Sequence, residues 1–173
     1  MRAAILCPGP SLLRSFNADL RPQFDLMVGV NAAAQEFPCD WWVALDSVAF
    51  MRYPPIGLPN VVVFRGVLNE LNAGETGDRF RRHSYIDHEQ LIRETGIPSH
   101  CRRFTVCLAL ALAVREGATS VTMFGHDMAG SDDHRGRTCK GRNPKRWANE
   151  RPLWAEAVAW ARGKGVEVVH GHD

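Results

Sequence analysis

The sequence predicts an α/β protein with a mostly parallel, doubly wound sheet of about six strands and helices on both faces. Short apolar runs of four to six residues alternate along the chain with segments of helical composition. These runs show little polar alternation, which is typical of strands that are buried on both faces of a parallel sheet. The 173 residues, 45% of them hydrophobic, suffice for a single domain over residues 1–173.

Six strands are predicted from the apolar runs, and in chain order they occupy residues 3–6, 25–30, 41–45, 61–64, 120–124 and 166–169. The first strand ends at the turn Pro8-Gly9-Pro10-Ser11. A short helix is predicted directly after it, at 11–16, because Ser is a common residue at helix starts.

Two longer helices are predicted in the second half of the chain. The Leu and Ala content favours a helix over 103–115, and another is predicted over 147–162. Glycine follows the end of each helix, as is common at helix C-termini. The polar stretches 65–100 and 126–146 are predicted to be long loops, the first with a short helix near 87–94. Long polar loops in a compact domain often carry function.

Charge, hydropathy and cysteine content exclude several classes of protein. A net charge of +2 argues against wholesale nucleic-acid binding. No apolar run reaches the length of a membrane span, and the turn at 8–10 interrupts the N-terminal apolar stretch too early for a secretory signal. The five cysteines form no C-x-x-C pair. We therefore expect a reduced, cytoplasmic protein without a zinc site made of cysteines.

The residues that follow the predicted strands form a candidate binding site, because ligands of open α/β sheets bind outside the carboxyl ends of the strands. These residues are small, polar or charged, and they include Gly9, Pro10, Ser11, Asn31, Asp46, Gly125, His126 and Asp127. The turn at 8–11 is expected to present backbone N–H groups to a phosphate. Four of these residues also have a structural interpretation: Ser11 and Asp46 as helix caps, Asn31 as a left-handed turn residue and Gly125 as a tight turn.

The polar loop 126–146 supplies further candidates. His134 is a candidate general base, since an imidazole near its ordinary pKa works at neutral pH. Arg135, Arg137 and Arg142 belong to a basic run that could close over a phosphate. The alternatives are a solvated loop or a surface for an acidic partner. The spacing of the His and Asp residues here matches no metal-binding loop, so no metal site is predicted.

Several of these motifs together resemble a known group. They are Gly9-Pro10-Ser11-Leu12, Val30-Asn31-Ala32, and the segment 123–128 that contains Gly125-His126-Asp127. The chain resembles the Rossmann-like superfamily of bacterial single-domain sialyltransferases and hydroxymethylpterin diphosphokinase-like proteins, including small phage or prophage members of unassigned function. The resemblance implies a nucleotide site over the strand-end residues with Thr105 at the start of a helix. It also implies His134 as general base, with Asp127 in the catalytic turn.

The function expected from these residues is that of a nucleotide-sugar-dependent glycosyltransferase. A nucleotide or nucleotide sugar is the expected partner, the nucleotide sugar as donor substrate, and the sequence identifies no other cofactor for this function. One alternative is an ATP-dependent diphosphokinase-like enzyme, with Mg²⁺ held by Asp46 or Asp127. Another is a non-catalytic nucleotide-binding or phage accessory protein. A homo-oligomer, in which a second protomer completes the acceptor site, is left open by the sequence.

Overall fold

The computed structural model describes residues 1–45, 52–57, 59–63 and 84–171. Seven parallel strands form one sheet in the order β5-β4-β3-β2-β1-β6-β7. The strands are Arg2–Leu6 (β1), Leu26–Val30 (β2), Trp41–Val43 (β3), Asn60–Val63 (β4), Tyr85–Asp87 (β5), Ser120–Phe124 (β6) and Glu167–His170 (β7). The predicted α/β class with a parallel sheet is confirmed. The sheet has one strand more than predicted, because the short strand β5 lies in the polar stretch expected to be mainly loop.

The strand order defines where a ligand can enter. From β1 the sheet grows outward through β2 to β5, and the chain then returns to place β6 on the other side of β1. The connections on the two sides of β1 therefore diverge and leave a crevice at the carboxyl ends of β1 and β6. This is the switch point at which open α/β sheets bind ligands.

The helices cover both faces of the sheet. They are Leu12–Ser15 (α1), His88–Thr95 (α2), Thr105–Arg115 (α3) and Pro144–Gly163 (α4), together with 3₁₀ segments at Ala18–Gln23, Asn31–Gln35 and Ser99–Arg103. Alternate residues of β1 point to opposite faces. Ile5 packs in the cluster that contains α3 and part of α4, whereas Leu6 packs with Leu12 and Phe16 on the other face. Residues 106–113 of α3 are all buried, so this helix is the centre of the core.

The helix boundaries differ from the predicted ones where a cap was overlooked. Helix α4 begins at Pro144, ahead of the predicted start at 147, because the side chain of Asn143 accepts a hydrogen bond from the Arg146 amide. Proline is favoured in the first helical turn, where its missing N–H has no partner to lose. In the described part of the chain, no helix has the length and apolar character needed to cross a bilayer. All five cysteines are free thiols.

Candidate functional site

A cleft of about 240 Å³ lies at the carboxyl ends of β1, β2 and β6, at the switch point of the sheet. It brings together six of the predicted site residues, namely Asn31, Thr105, Gly125, His126, Asp127 and Arg142. Tyr53, Met128, Trp147 and Glu150 also line it, although the sequence did not suggest a site role for them. Gly9, Pro10, Ser11, His134, Arg135 and Arg137 are not among its lining residues. Asp46 lies outside the described residues.

The turn that follows β1 is bonded to the turn that follows β6. The Gly9 amide donates to the carbonyl of Gly125 at 2.9 Å. The amide and hydroxyl of Ser11 both donate to Asp127 Oδ2, at 2.9 and 2.7 Å. The Leu12 amide donates to the Gly9 carbonyl at 3.1 Å. The amides expected to cradle a phosphate therefore have partners within the protein. The two turns form a structural connection that we call the Ser11–Asp127 latch.

Glycine at position 9 is required for this connection. A Cβ built on Gly9 would collide with the carbonyl of Gly125 and with the carboxylate of Asp127. Gly125 has a positive φ of 65°, and a Cβ there would collide with the backbone after β1. Ser11 occupies the N-cap position of α1, but its hydroxyl binds Asp127 and makes no cap hydrogen bond. Both glycines thus serve the close approach of the two strand ends.

Asn31 has the unusual backbone conformation that one interpretation of the sequence predicted. Its φ of 48° is the single positive value among the non-glycine residues that the structure describes. Its carbonyl accepts a hydrogen bond from Trp42 Nε1 at 2.9 Å, which fixes the turn after β2. The side-chain oxygen Oδ1 is buried without a hydrogen-bond partner, and the residue lines the cleft. Such left-handed residues are concentrated at functional sites.

His126 lines the cleft and lies among aromatic rings. Its ring packs edge-on against Trp154, with 4.5 Å between centroids, and stacks on His170 at 5.6 Å. Both ring nitrogens are buried without a hydrogen-bond partner. Burial, reinforced by the neighbouring His170, lowers the pKa of His126 to about 3. The imidazole is therefore neutral at pH 7, with one nitrogen able to donate and the other able to accept.

Arg142 supplies positive charge to the cleft. Its guanidinium donates to the carbonyls of Pro8 and Asp127, at 3.3 and 3.2 Å, and lies 5.0 Å from the ring centroid of Trp147. Its Nε is buried without a partner, and no carboxylate of the described chain pairs with it. Burial lowers the pKa of Arg142 from its ordinary value, yet an arginine stays charged in proteins. The cleft therefore holds a cation that makes no salt bridge with a carboxylate of the described residues, although Asp127 and Glu150 interact with it electrostatically.

Glu150 adds a partly buried carboxylate on the first turns of α4. Its Oε1 accepts from Arg146 Nε at 2.7 Å, while Oε2 is buried without a partner. Burial raises the pKa of Glu150, although Arg146 opposes the shift. A carboxyl group with a raised pKa in a cleft can hold or accept a proton closer to neutral pH. The sequence alone gives little indication that Glu150 belongs to a site, since it is a single acidic residue at the end of a basic run.

His134 occupies a different environment from the flexible, accessible loop that the sequence predicted. Its side chain is fully buried, and Nε2 is 2.8 Å from Glu36 Oε1. Arg135 Nε donates to the same Glu36 oxygen at 2.5 Å. Burial raises the pKa of Glu36, but the hydrogen bonds from Arg135 and His134 outweigh it and lower the pKa overall. In this conformation His134 does not face the cleft.

Arg137 is likewise paired within the loop. Its guanidinium bonds to the buried carboxylate of Asp133, with Nε at 2.8 Å and the second nitrogen at 2.7 Å. Asp133 also accepts the amides of Arg135 and Arg137, so it holds the turn of the loop. Of the three loop arginines predicted to meet a phosphate, Arg142 lies in the cleft, and the other two are neutralised by carboxylates.

Comparisons with known proteins identify the fold. Neither a protein-family model nor a curated protein sequence matches the chain. Solved structures of the sialyltransferase CstII do match it. The Campylobacter jejuni enzyme with cytidine-5′-monophosphate has a TM-score of 0.62 at 10% identity, over 98% of this chain and 79% of that chain. A complex with CMP-3FNeuAc gives 0.61 at 12% identity, over 99% and 80%. A complex with a trisaccharide acceptor and CMP gives 0.60 at 9%, over 99% and 81%. The chain thus has a sialyltransferase-like α/β fold.

Proposed function

We propose that this protein is a nucleotide-sugar-dependent glycosyltransferase whose donor binds in the cleft. The observation that carries the proposal is the set of buried polar groups without partners on cleft-lining residues, namely those of Asn31, His126, Arg142 and Glu150. Buried polar groups are almost always hydrogen-bonded, so this concentration calls for a polar ligand. The fold supports a nucleotide sugar as that ligand, since CstII structures of similar fold contain CMP or CMP-3FNeuAc.

The donor phosphate would lie beside Arg142. Arg142 forms no salt bridge with a carboxylate of the part of the chain that the structure describes, and its Nε is buried without a hydrogen-bond partner. Thr105, the first residue of α3, lines the same cleft. The first turn of a helix has N–H groups without helical partners and favours an anion. Together these groups would stabilise the negative charge that develops on the leaving nucleotide as the glycosidic bond breaks.

The nucleoside would lie between Asn31, at the end of β2, and His126. Asn31 Oδ1 can accept a hydrogen bond from a ribose hydroxyl or a base amino group, and its fixed backbone holds it in place. The neutral His126 can donate from one nitrogen and accept at the other. We therefore assign Asn31 and His126 to donor binding. The latch residues Gly9, Pro10 and Ser11 position this site and need not contact the nucleotide.

Glu150 is our candidate for the general base. Transfer requires removal of the acceptor hydroxyl proton as the new glycosidic bond forms, and Glu150 Oε2 is an unpartnered carboxylate oxygen on a cleft-lining residue. His134, the base that the sequence resemblance implies, would have to leave its contact with Glu36 before it could reach an acceptor. Nothing in the described residues favours the ATP-dependent alternative. Asp127, one of its proposed Mg²⁺ ligands, already accepts two hydrogen bonds at Oδ2.

Ligand binding is tested by thermal denaturation and calorimetry with CMP, UDP, ATP and their sugar derivatives. We expect a nucleotide or nucleotide sugar to stabilise the wild type, by about 2.7 kcal/mol at 100 times Kd. Arg142→Ala should weaken the affinity about 10- to 100-fold, as expected for a charge-assisted hydrogen bond. Arg162→Ala, an exposed arginine near the other end of α4, should not change it. The proposal fails if none of these compounds binds at millimolar concentration.

The base assignment is tested separately by turnover. Once a donor is known, Glu150→Gln should lower kcat by about 10²- to 10⁴-fold while donor affinity is retained. His134→Gln should have a much smaller effect. The opposite pattern would assign the proton transfer to His134 and require the loop to open during catalysis. Full activity in both variants would exclude both residues.

A further inference from the structure

A second group of reactive side chains lies away from the cleft, between the 3₁₀ segment Ser99–Arg103 and helix α4. One nitrogen of His100, the sulfur of Cys101 and one carboxylate oxygen of Glu156 all lie within 4.8 Å of one another. His100 Nε2 is 2.6 Å from Glu156 Oε2. His100 and Glu156 are about half exposed, whereas Cys101 is fully buried directly beneath them. The group therefore combines a buried sulfur with two surface side chains that have room to change position.

We propose that His100, Cys101 and Glu156 bind a transition-metal dication of the Zn²⁺ type, with water in the fourth position. Imidazole nitrogen, thiolate sulfur and carboxylate oxygen are the three donors that Zn²⁺ takes in proteins, at about 2.0 to 2.3 Å. Ca²⁺ and Mg²⁺ prefer oxygen ligands alone, so this donor set selects against them. The short His100–Glu156 contact would open by a small side-chain movement to admit the ion. The evidence for this site does not depend on the proposed transferase function.

Metal binding requires Cys101 to lose its thiol proton to solvent. The thiols of Cys101 and Cys107 each donate to the carbonyl of Leu153, at 3.6 and 3.8 Å. Because a thiol has one proton, Cys107 would leave the Leu153 carbonyl in order to donate its S–H to the neighbouring Cys101 thiolate once the metal is bound. Donors of this kind around a ligand atom orient it and tune the site.

A metal ion at this site would connect two elements that line the cleft. The 3₁₀ segment that carries His100 and Cys101 leads directly into α3, whose first residue lines the cleft. Helix α4 carries Glu156 and, earlier along its length, Trp147 and Glu150 of the cleft wall. A bound ion would tie these two walls together through residues 56 positions apart in sequence. That separation explains why no sequence motif signals the site.

The test is a titration of the purified, reduced full chain with Co²⁺, a spectroscopic substitute for Zn²⁺. We expect a thiolate-to-metal charge-transfer band that saturates at one equivalent and disappears when Zn²⁺ is added. Cys101→Ser should abolish the band. His100→Ala and Glu156→Gln should weaken the affinity at least about tenfold, because even loss of a residue around a metal ligand costs that much. Cys139→Ser, a thiol in the loop after β6, should not change it.

If Cys101→Ser destabilises the fold, the variants His100→Ala and Glu156→Gln still test the metal site. His100 and Glu156 are half exposed, so their replacement should leave the metal-free melting temperature nearly unchanged. Zn²⁺ should raise the melting temperature of the wild type and not that of either variant. The proposal is wrong if the wild type gives no thiolate band, if the band survives in Cys101→Ser, or if both surface variants bind the metal as tightly as the wild type.

Discussion

His126 offers a direct test of the unpartnered groups in the cleft. Its two ring nitrogens are buried without hydrogen bonds, and its pKa is lowered to about 3. Phenylalanine at this position would keep an aromatic ring against Trp154 and remove both polar atoms. Replacing an unsatisfied buried polar group by an apolar one of similar shape is often neutral or stabilising. We therefore expect His126→Phe to be at least as stable as the wild type at pH 7 and to lose nucleotide affinity.

The magnitude follows from proton linkage. In the unfolded chain His126 takes up a proton near its ordinary pKa of 6.5, whereas in the folded protein it stays neutral down to about 3. The unfolded state therefore binds more protons between these values, and stability falls as the pH is lowered. Each pH unit is equivalent to about 1.4 kcal/mol. Between pH 7 and pH 4.5 the wild type should lose roughly 3 kcal/mol more than His126→Phe.

Urea denaturation of both proteins across this pH range measures the difference. Other groups titrate in both proteins, so subtraction of the two curves gives the contribution of His126 together with its coupling to His170. A loss of about 3 kcal/mol corresponds to roughly 6 to 12 °C in melting temperature for a chain of this size. Parallel stability curves, or a variant several kcal/mol less stable at pH 7, would refute the assignment of an unpartnered neutral imidazole.

Two further substitutions examine the contacts around the cleft. Ser11→Ala removes the 2.7 Å hydrogen bond to Asp127 and should cost about 1 to 3 kcal/mol in the free energy of unfolding. A cost below about 0.5 kcal/mol in urea denaturation would show that the latch contributes little to stability. Glu36→Gln removes the charged acceptor of the His134 and Arg135 hydrogen bonds and should cost about 1 to 3 kcal/mol at pH 7. Because the pKa of Glu36 is lowered, its contribution is present above about pH 4.5 and disappears as the pH falls through the folded value, so the two proteins should converge in acid.

The central strands could be predicted from the sequence because burial on both faces makes them continuous apolar runs. The predicted strand at 120–124 coincides with β6, and those at 3–6 and 25–30 differ from β1 and β2 by one residue. Strand β5 was missed because Tyr85–Asp87 is only three residues long at the sheet edge and its first residue is exposed. Strand β5 forms because it pairs with β4, and the sequence of β5 alone does not indicate this pairing.

The environment of the loop residues could not be predicted, since it depends on contacts between distant segments. His134 was expected in a solvated loop, but Glu36, 98 positions away, binds its ring in the interior. Charge counting along the loop predicted three arginines free to meet a phosphate. Only the folded structure shows that Glu36 and Asp133 neutralise two of them.

The strand-end residues illustrate the same limit within the site itself. The rule that ligands bind beyond the carboxyl ends of strands placed Ser11, Asn31, His126 and Asp127 together, and the structure brings them to the same end of the sheet. Their polar atoms nevertheless divide into two sets. Those of Ser11 bond to Asp127 and fix β1 against β6, whereas Asn31 Oδ1 and the His126 nitrogens have no partner. Small polar residues that follow strands cannot be told apart in a sequence. The hydrogen bonds of the folded structure distinguish the residues that stabilise the site from those whose polar atoms remain available to a ligand.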